Sequence, residues 1–583
     1  MVKMGKNEKN IKRKNIIQLL VVVVVIIAAN LIGSVWYSRL DLTSEKRYTL
    51  SPATVKILKN LDDIVFFKVF LEGDFPAGFK RLKRETKELL DEFRAYSDNV
   101  QYEFINPSES DDPKERNDTY KLLMEQGLHP TNLQVKTKNG MEQKVIFPGA
   151  IVSYRQKELP VELLDAQINV PPEEVLNHSI ENLEFKLINA IRRITQKKKP
   201  ALAFIEGHGE LSEKDVWDIT QTLKPDYVTD RIRLNENINA LMQRFLIDSV
   251  NNDYKIEPKY KAVIIAKPDS AFSDKDKFIL DQYIMYGGKV LWLIDPVIAS
   301  MDSIKNAEST VAIDAGLRLQ DMLFTYGVRL NKDLIMDLNA LPIPLKTGMM
   351  GNQPQIEFFP WYYFPVITPT SQHPIVRNLN AIKMQFVSSL DTTRVKNVRK
   401  TILLKSSSYS RTVNVPAVIS LAILRQKPNE KLYSGPPRAV SVLLEGEFQS
   451  YFDNRIPPSL MQAKEIGYKN RSVKNQMIIV SDGDVIRNQF KVPGGYPLPL
   501  GYDQYTRETF GNKDFILNAL NYLTGGEDLI SIRSKQIKLR LLDMTQVNKY
   551  KLWIQLVNVG LPVIFVILTG GILMMLRKKK YSK

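Results

Sequence analysis

Two uninterrupted apolar runs lie towards the ends of the chain, from Ile16 to Trp36 and from Trp553 to Leu576, and neither contains a charged residue. As a helix with a rise of roughly 1.5 Å per residue, each run is long enough to cross a hydrocarbon core about 30 Å thick. A cleaved signal peptide is the alternative for the first run, and a buried core helix is the alternative for the second. Because the first run exceeds the roughly 7–15 residues of a signal peptide's apolar region, the pattern favours two transmembrane helices, 16–36 and 553–576.

Basic residues flank both runs on their outer sides, in the tails 1–15 and 577–583. Segments on the cytoplasmic side of a membrane carry an excess of lysine and arginine, so both tails are predicted to be cytoplasmic. The pattern therefore predicts a two-pass protein of the inner (cytoplasmic) membrane, with residues 37–552 on the periplasmic side. Within that body, the segment 532–552 is basic and amphipathic, and we expect it to lie close to the lipid bilayer.

Residues 37–170 have the alternating pattern of a small α/β domain. A helix is predicted to begin at Ser51-Pro52, with the serine as its cap and the proline at its first position. The predicted elements that follow are strand 64–71, helix 79–97, strand 100–105, helix 113–127 and three strands near 132–137, 144–154 and 157–163. This order is that of a thioredoxin-like domain without a redox motif, and Pro171-Pro172 marks a linker after it.

A second domain is predicted over residues 178–531, after helical spacing in 179–195. Its clearest unit runs from Ala262 to Asp295: an apolar strand, a helix capped by Ser273, the pair Gly287-Gly288 that ends the helix, and a second apolar strand. Such a unit needs a right-handed crossover and a parallel sheet covered by helices. We therefore expect an α/β domain built on a parallel sheet.

The remainder of this domain contains a second such unit and an unusual aromatic run. Strand 477–480 is followed by a loop rich in proline and glycine and by helix 514–523. Six of the seven residues from Phe358 to Phe364 are aromatic, and the prolines and glycines around them predict a surface excursion from the sheet. Core filling and contact with a partner protein are the alternatives for this run.

Charge and cysteine content exclude several classes of function. The net charge is +17, but the tails 1–15 and 577–583 carry +10 of it, which leaves +7 for residues 37–552. That body has no basic stripe with interleaved aromatic residues, so nucleic acid is not an expected partner. The chain has no cysteine and only four histidines, which are far apart. Disulfides, thiolate metal sites and a cysteine nucleophile are therefore excluded, and we predict no metal site and no cofactor.

The segment Glu206-Gly207-His208-Gly209-Glu210 directly follows the apolar strand 201–205. Open α/β sheets bind ligands at the carboxyl ends of their strands, so Glu206, His208 and Glu210 are candidate ligand-binding residues. The alternative is a glycine-rich turn in which His208 is hydrogen-bonded within the loop. A dinucleotide-binding fingerprint needs a third glycine and a following helix, and this segment has neither.

Asp482-Gly483-Asp484 follows the late strand in the same way, as Asp295-Pro296 follows another. Asp482 and Asp484 are candidate ligand-binding residues that could hold a cation through two carboxylates, and an ordinary Asp-Gly turn is the alternative. The chain contains no GxxxxGK[ST] loop, so any ATP hydrolysis must come from another chain. We predict no catalytic residues.

A set of phrases along the chain resembles a known family. In order between the two apolar runs, they are RLDLTSEKRYTLSPAT, FIEGHGE, GGKVLWLIDP, QHPIV, LLKSSSYS, LLEGEFQSYF, VSDGDVIRNQ and FGNKDFILNALNYLTGGEDLISIRSK. Together with both apolar runs, they resemble the GldG family, the auxiliary membrane component of the gliding-motility ABC transporter. The resemblance covers nearly the whole chain.

The resemblance implies a fold and partners for this chain. It implies that the second domain shares a flavodoxin-like fold with glutamine-amidotransferase-like domains and with a component of eukaryotic intraflagellar transport. The amidotransferases use a cysteine nucleophile that is missing here, so their activity is not implied. The resemblance also implies partnership with an ABC permease, GldF-like, and an ATPase, GldA-like.

Three functions are consistent with the sequence. The leading one is a non-enzymatic, non-ATPase subunit of an ABC transporter complex that supports gliding motility. The second is a membrane-tethered solute-binding subunit that captures an unidentified ligand between 206–210 and 482–484. The third is a membrane-anchored hydrolase, which depends on His208 and its neighbouring carboxylates.

Overall fold

The computed structural model describes residues 16–28, 49–137, 140–164, 171–196, 198–305, 309–351, 353–377, 379–525 and 544–581. The chain divides into two compact units, Met1–Arg47 with Gln536–Lys583, and Tyr48–Lys535. The second unit, called the body below, is a mixed α/β structure with several sheets, as the sequence predicts. The first unit contains a short apolar helix, α1 (Ile16–Ala28). The basic tail 1–15 and the second part of the predicted first span lie outside the described residues.

The amino-terminal part of the body begins with a helix capped as predicted. The Ser51 hydroxyl oxygen accepts a hydrogen bond from the backbone N–H of Thr54, and Pro52 is the first helical residue. In chain order the elements are α2 (Pro52–Lys59), β1 (Val65–Val69), α3 (Ala77–Tyr96), β2 (Val100–Phe104), α4 (Pro113–Glu125), β3 (Thr131–Thr137), β4 (Gly140–Ile146), β5 (Gly149–Tyr154), β6 (Lys157–Glu162), α5 (Pro172–Glu181) and α6 (Leu183–Thr195).

The sheet of this part has the strand order β2-β1-β5-β6. Strands β1 and β2 are parallel and joined by α3, while β5 and β6 form an antiparallel hairpin beside β1. The strand predicted near 144–154 is two strands, because Pro148 has no N–H to give to a ladder and separates β4 from β5. Strand β4 instead pairs with β3 in a separate hairpin.

The structure also divides the helix predicted over 179–195 into two helices. Helix α5 ends at Glu181, and α6 begins at Leu183. The buried side chains of α6, among them Leu187 and Ile191, belong to the same apolar core as β1 and α3. Although the sequence assigns this segment to the second domain, it packs with the first.

The remainder of the body is larger. In chain order its elements are β7 (Ala201–Glu206), α7 (Trp217–Leu223), β8 (Val228–Arg233), β9 (Met242–Asp248), β10 (Asp253–Pro258), β11 (Ala262–Ala266), α8 (Asp274–Met285), β12 (Lys289–Leu293), β13 (Val297–Ile298), α9 (Met301–Lys305), β14 (Ser309–Asp314), α10 (Gln320–Tyr326), β15 (Val328–Leu330), β16 (Asp333–Asp337), β17 (Ala340–Met350), β18 (Gln353–Ile367), β19 (Ile382–Lys383), β20 (Leu390–Thr392), β21 (Val398–Lys405), β22 (Ser410–Asn414), β23 (Ala417–Ser420), β24 (Ala439–Gly446), α11 (Pro458–Gln462), β25 (Asn475–Val480) and α12 (Asn512–Leu523).

A seven-stranded sheet in the order β21-β24-β25-β12-β11-β7-β8 forms the centre of this part. Strands β25, β12, β11, β7 and β8 are parallel, and β24 and β21 extend the sheet in antiparallel fashion. Numbered along the chain, the parallel strands have the order 2-1-3-4-5, which is that of flavodoxin-like sheets. Every residue of β11 is buried, with Ile264 in one apolar core and Val263 and Ile265 in another. The sheet is thus covered on both faces, as the predicted crossover unit requires.

The aromatic run lies mainly inside the body, contrary to the predicted surface excursion. It belongs to β18, which pairs with β17 in a long hairpin. Trp361 is fully buried, and the three aromatic residues after it are also in an apolar core. Phe358, closer to the tip of the hairpin, is 52% exposed. Hence core filling, one of the two alternatives, accounts for the second part of the run.

The C-terminal apolar run forms a continuous helix, α13 (Met544–Tyr581). Its stretch Lys549–Lys579 is long and apolar enough to cross a membrane, and its most apolar window is not buried. This stretch contains the predicted span 553–576. Part of the predicted juxtamembrane segment, 532–543, lies outside the described residues. The two apolar helices are compatible with membrane anchoring, and the two-pass topology stays a prediction.

Candidate functional site

The predicted site residues follow strands that end at one edge of the seven-stranded sheet. Strand β7 ends at Glu206, β11 is followed by Lys267, β12 is followed at a short distance by Asp295, and β25 by Asp482. Because these strands are parallel, their carboxyl ends share an edge. The strand order reverses between β7 and β11, which is the position where open α/β sheets bind ligands.

His208 is buried at this reversal point, with its ring stacked on Phe272 at a centroid distance of 3.7 Å and an interplanar angle of 9°. Its Nδ1 lies 3.2 Å from Glu210 Oε1, and its Nε2 lies 3.2 Å from Asp276 Oδ2. Carboxylates therefore engage both ring nitrogens. Neither nitrogen is left to take a proton from a nucleophile.

The two carboxylates also set the charge of the imidazole. Burial alone would lower the pKa of His208, but hydrogen bonds and charge from Glu210 and Asp276 outweigh it and raise the pKa. A protonated imidazole donates both N–H groups, which suits its two acceptors. Asp276 Oδ1 in turn accepts the backbone N–H of Glu236 at 2.9 Å. His208 thus joins the loop after β7 to the start of α8, in the hydrogen-bonded turn that was the alternative for this segment.

Glu206 does not join His208. Its Oε1 accepts a hydrogen bond from Nε of Arg231 on β8. Gly209 is required by the turn itself, because it has φ +76° and a Cβ there would lie 1.6 Å from Asp269 Oδ1. The candidates Glu206, His208 and Glu210 are therefore engaged by the chain's own groups, and their role in ligand binding stays a prediction.

A second cluster forms around Lys267. Its Nζ lies 3.1 Å from Asp295 Oδ2 and makes a shorter ion pair with Asp484. Asp295 Oδ1 accepts the backbone N–H of Gly483. The loops after β11, β12 and β25 are thus joined by a lysine that follows the first of these strands.

Asp482 lies beside this ion pair and is fully buried. Its Oδ1 accepts the backbone N–H of Asp484 at 2.7 Å, and its Oδ2 accepts that of Gln385 at 3.0 Å. Of the two predicted carboxylates, Asp484 pairs with Lys267, whereas Asp482 accepts hydrogen bonds from backbone N–H groups. In the described part of the chain, no group of three or more histidine or acidic residues is arranged to hold a metal ion.

Burial and crowding of carboxyl groups make this cluster retain protons. Burial raises the pKa of Asp482 well above its usual range, and the charges of Asp295 and Asp484 add to this effect. Burial raises the pKa of Asp295 to about 6, although Lys267 opposes it. The cluster consequently takes up protons as the pH falls from 7 towards 5.

A cavity of about 220 Å³ opens beside Asp484. Its lining includes Lys267, Lys383, Phe386, Arg487, Asn488 and Phe490. Two of the lining acceptors, Asp484 Oδ1 and Asn488 Oδ1, are buried and receive no hydrogen bond. The nearest cation to the first is Arg487, whose Nη1 lies 3.5 Å away. Lone pairs left empty inside a protein are costly, which makes this cavity the strongest candidate binding site.

Lys383 brings a buried ammonium group to the same cavity. Its Nζ donates a hydrogen bond to the Tyr502 carbonyl oxygen at 2.9 Å. Burial lowers its pKa to about 8, while the charge of Asp503 acts in the opposite direction. Among the residues that the structure describes, no carboxylate forms an ion pair with this ammonium group.

A second cavity, of about 850 Å³, lies at the opposite, amino edge of the same sheet. Lys261, Lys289 and Gln476 are among its lining residues, and Arg399 pairs there with Glu445 at 2.7 Å. Neither predicted cluster contributes to it. It therefore provides an internal reference for experiments on the carboxyl edge.

Sequence reasoning missed two cations of the carboxyl-edge site. Lys267 comes directly after the buried strand β11, much as Glu206 stands at the end of β7. This position after a buried strand was the signal by which the sequence could have identified Lys267. Lys383 ends the two-residue strand β19, and no sequence pattern distinguishes it. Its proximity to Asp484 arises only from the tertiary structure.

These observations describe a large α/β body with a flavodoxin-like sheet, in a chain that also carries an apolar helix long enough to cross a membrane. The model of a family described as an ABC-type uncharacterized transport system matches residues 199–519, which is more than half of the chain. The chain belongs to this family. Membership implies partnership with ABC transporter components. A second model, of a domain of unknown function, DUF7088, matches residues 44–153.

Two individual proteins are similar to the chain. A protein of Borreliella burgdorferi (strain ATCC 35210 / DSM 4680 / CIP 102532 / B31), described as an uncharacterized protein, is 20% identical over 567 residues, which cover 94% of this chain and 95% of that protein. A solved structure titled mmIFT52 N-terminal domain is 12% identical, covers 56% of this chain and 98% of its own, and has a TM-score of 0.31. The fold assignment rests on the strand order described above.

Proposed function

We propose that this protein is a non-ATPase auxiliary subunit of an ABC transporter complex that supports gliding motility. In this proposal, helices 16–36 and 553–576 span the inner membrane, with both termini in the cytoplasm and the body in the periplasm. The body consists of a thioredoxin-like domain without a redox motif, 37–170, and a glutamine-amidotransferase-like domain, 178–531. It performs no catalytic step. Its partners are the lipid bilayer, a GldF-like permease and a GldA-like ATPase.

The observation that carries the proposal is the combination of two features in one chain. Residues 199–519 belong to an ABC-type transport family, and Lys549–Lys579 form an exposed helix of 31 residues that is apolar enough to cross a membrane. The sequence has no phosphate-binding loop, so the energy for transport must come from a partner. The phrases shared with the GldG family support the assignment to gliding.

Co-purification from native membranes tests the partnership. The tagged full chain, extracted in a mild detergent, should recover an ABC ATPase and a multi-span permease, identified by mass spectrometry. A matched chain that keeps both apolar helices but lacks residues 48–535 serves as the control for association through lipid. Recovery of the full chain alone, under several gentle conditions, would contradict the proposal.

A deletion strain separates the transporter from its biological role. Loss of the gene should abolish cell spreading and change the secreted material, and the full chain should restore both. If the secreted material changes while spreading stays normal, the assignment to gliding is wrong and the transporter assignment stands.

The cavity beside Asp484 favours a second candidate, a membrane-tethered solute-binding subunit. Open α/β sheets bind ligands at the carboxyl ends of their strands, and this cavity lies at that edge. Thermal-shift measurements on the full chain with sugars, peptides and lipids test this function. A uniform absence of stabilisation would argue against it.

The third function, a hydrolase, has less support than the other two. It requires a His208 nitrogen that can accept a proton from a nucleophile, but Glu210 and Asp276 occupy both nitrogens. The proposed function therefore assigns His208 to the stability of the sheet edge.

A further inference from the structure

We propose that the cavity beside Asp484 binds a small zwitterion, a molecule of amino-acid size that carries one ammonium group and one carboxylate group. This inference is independent of the partnership proposed above, because it concerns only groups that line one cavity of the body. It goes beyond the solute-binding candidate by naming the chemistry of the ligand.

The first step concerns the acceptors. Asp484 is 9% exposed and Asn488 is 3% exposed, yet the Oδ1 atom of each accepts no hydrogen bond. An unsatisfied buried acceptor costs about 1–3 kcal/mol, so a ligand that brings N–H donors to this cavity is favoured. An ammonium group has three such donors and also complements the charge of Asp484.

The second step concerns the cation. Lys383 is 6% exposed, and its Nζ donates a hydrogen bond to the Tyr502 carbonyl oxygen. No carboxylate within the described part of the chain pairs with it, whereas Lys267 and Arg487 both have carboxylate partners. The charge of Asp503 acts on Lys383 without an ion pair between them, and a buried cation without a directly paired anion is costly, so a ligand carboxylate is the group that this lysine lacks.

The third step excludes other classes of ligand. An anion without donors, such as sulfate, would leave both Oδ1 atoms unsatisfied. A simple cation would leave Lys383 without an ion-pair partner. The rings of Phe386 and Phe490 line the same cavity and supply apolar surface for the carbon atoms of a ligand. The volume of about 220 Å³ accommodates a molecule of amino-acid size.

Isothermal titration of the full chain in detergent with each standard α-amino acid at pH 7.5 tests the proposal. At least one amino acid should bind with a Kd of about 1 mM or tighter. The N-acetyl and the carboxamide derivatives of that amino acid should each bind about tenfold more weakly or not at all, because each lacks one of the two charges. If no amino acid binds, or if both blocked derivatives bind as well as the parent, the proposal is wrong and the cavity holds only water or another kind of ligand.

Variants locate the binding site. Asn488→Ala removes an acceptor oxygen that has no partner, together with an amide nitrogen that donates to the Lys214 carbonyl oxygen at 3.4 Å, so it should weaken binding about tenfold and lower the thermal unfolding midpoint only modestly. Lys383→Met should also weaken binding, because it removes the ammonium group and keeps an unbranched side chain. Gln476→Ala, at the amino-edge cavity, is the matched control and should bind normally.

The outcomes distinguish this inference from the proposed function. Unchanged affinity in Asn488→Ala and Lys383→Met, or weakened binding in Gln476→Ala alone, would overturn the site. Co-purification of ABC components should be the same in Asn488→Ala as in the unmodified chain. If the unmodified chain binds an amino acid but recovers no ABC components, the proposed function is wrong and this inference stands.

Discussion

Lys267 and Asp295, which follow neighbouring strands of the sheet, are joined by an ion pair with 3.1 Å between Nζ and Oδ2. The other carboxyl oxygen of Asp295 accepts the backbone N–H of Gly483, so one side chain connects three loops at the carboxyl edge. Burial raises the pKa of Asp295 to about 6 in spite of the lysine. The edge of the sheet is therefore held together by groups whose protonation changes near neutral pH.

Asp295→Asn should reveal this titration. At pH 7 the burial of the ionised Asp295 side chain outweighs its ion pair with Lys267, so replacing the carboxylate with an uncharged amide should lower stability little at that pH. Because the pKa of Asp295 is higher in the folded than in the unfolded chain, its contribution to stability is present at low pH and is lost as the pH rises through about 6. The difference in unfolding midpoint between the unmodified chain and the variant should therefore be larger at pH 5 than at pH 7. A difference that is equal at both values, or smaller at pH 5, would show that Asp295 does not titrate in this range.

His208→Gln tests the role of the buried imidazole. Removing a charged donor between Glu210 and Asp276 should cost about 1–3 kcal/mol at pH 6. The pKa of His208 is raised in the folded chain, so this contribution is complete below the unfolded value and is lost as the pH rises through the folded value. The effect on the unfolding midpoint should accordingly decline as the pH rises above the unfolded value of about 6.5.

His129→Gln is the matched control for that experiment. His129 also lies beside a carboxylate, with 3.1 Å between Nδ1 and Glu162 Oε1, but its side chain is 84% exposed. Its substitution should change stability by less than about 0.5 kcal/mol. If the two substitutions lower stability equally, His208 contributes no more to the fold than an exposed histidine does.

Two substitutions in the aromatic run should differ strongly in their effect on the stability of the body. Trp361→Ala empties a fully buried site and should cost about 3–5 kcal/mol. Phe358→Ala, three residues earlier and 52% exposed, should cost less than about 0.5 kcal/mol. Chemical or thermal unfolding of both variants compares them directly. Similar costs would indicate that the sequence-based surface excursion describes this hairpin better than the packed strand.

The sequence was sufficient for the parts of the fold that depend on local patterns. The unit from Ala262 to Asp295 was predictable because a buried strand, a serine cap and a glycine stop are each determined by neighbouring residues. The burial of Trp361 was not predictable, because it depends on a core assembled from distant strands. The prolines around it are typical of surface loops, and they are also tolerated in edge strands and at bulges.

The candidate site was predictable in position but not in its interactions. His208 and Asp484 were identified because both follow buried strands. Their partners are distant in sequence: Asp276 is 68 residues from His208, and Lys267 is 217 residues from Asp484. Long-range pairing of this kind follows from strand order, which a single sequence does not specify.

Glu184→Ala should weaken the packing of α2 on α6. Glu184 Oε1 accepts hydrogen bonds from the Ser51 backbone N–H and from the Thr54 hydroxyl group, each at 2.8 Å. Losing a buried carboxylate that two donors share should cost about 1–3 kcal/mol and should speed amide hydrogen exchange within α2. Glu174→Ala, on the exposed side of α5, is the control and should leave that exchange unchanged. If exchange in α2 is the same in both variants, the capping of α2 does not depend on Glu184.

Deletion of residues 544–583 tests whether the second apolar helix does more than attach the chain. Within the residues that the structure describes, no member of the four largest apolar cores of the body lies beyond Leu523, so the truncated body should fold. The truncated chain should remain in the membrane fraction through the first apolar run but lose co-purification with the permease and fail to restore a deletion strain. The physical reason is that a second anchor restricts the rotation of the body about the first.

A chain in which residues 549–579 are replaced by an unrelated apolar helix of equal length separates anchoring from contact. If the second helix acts only by restricting the body, this chain should recover function. If it contacts the permease through its own side chains, function should stay lost although the chain has two anchors. Full function of the truncated chain itself would contradict both possibilities, and would favour the solute-binding subunit, which needs only one tether.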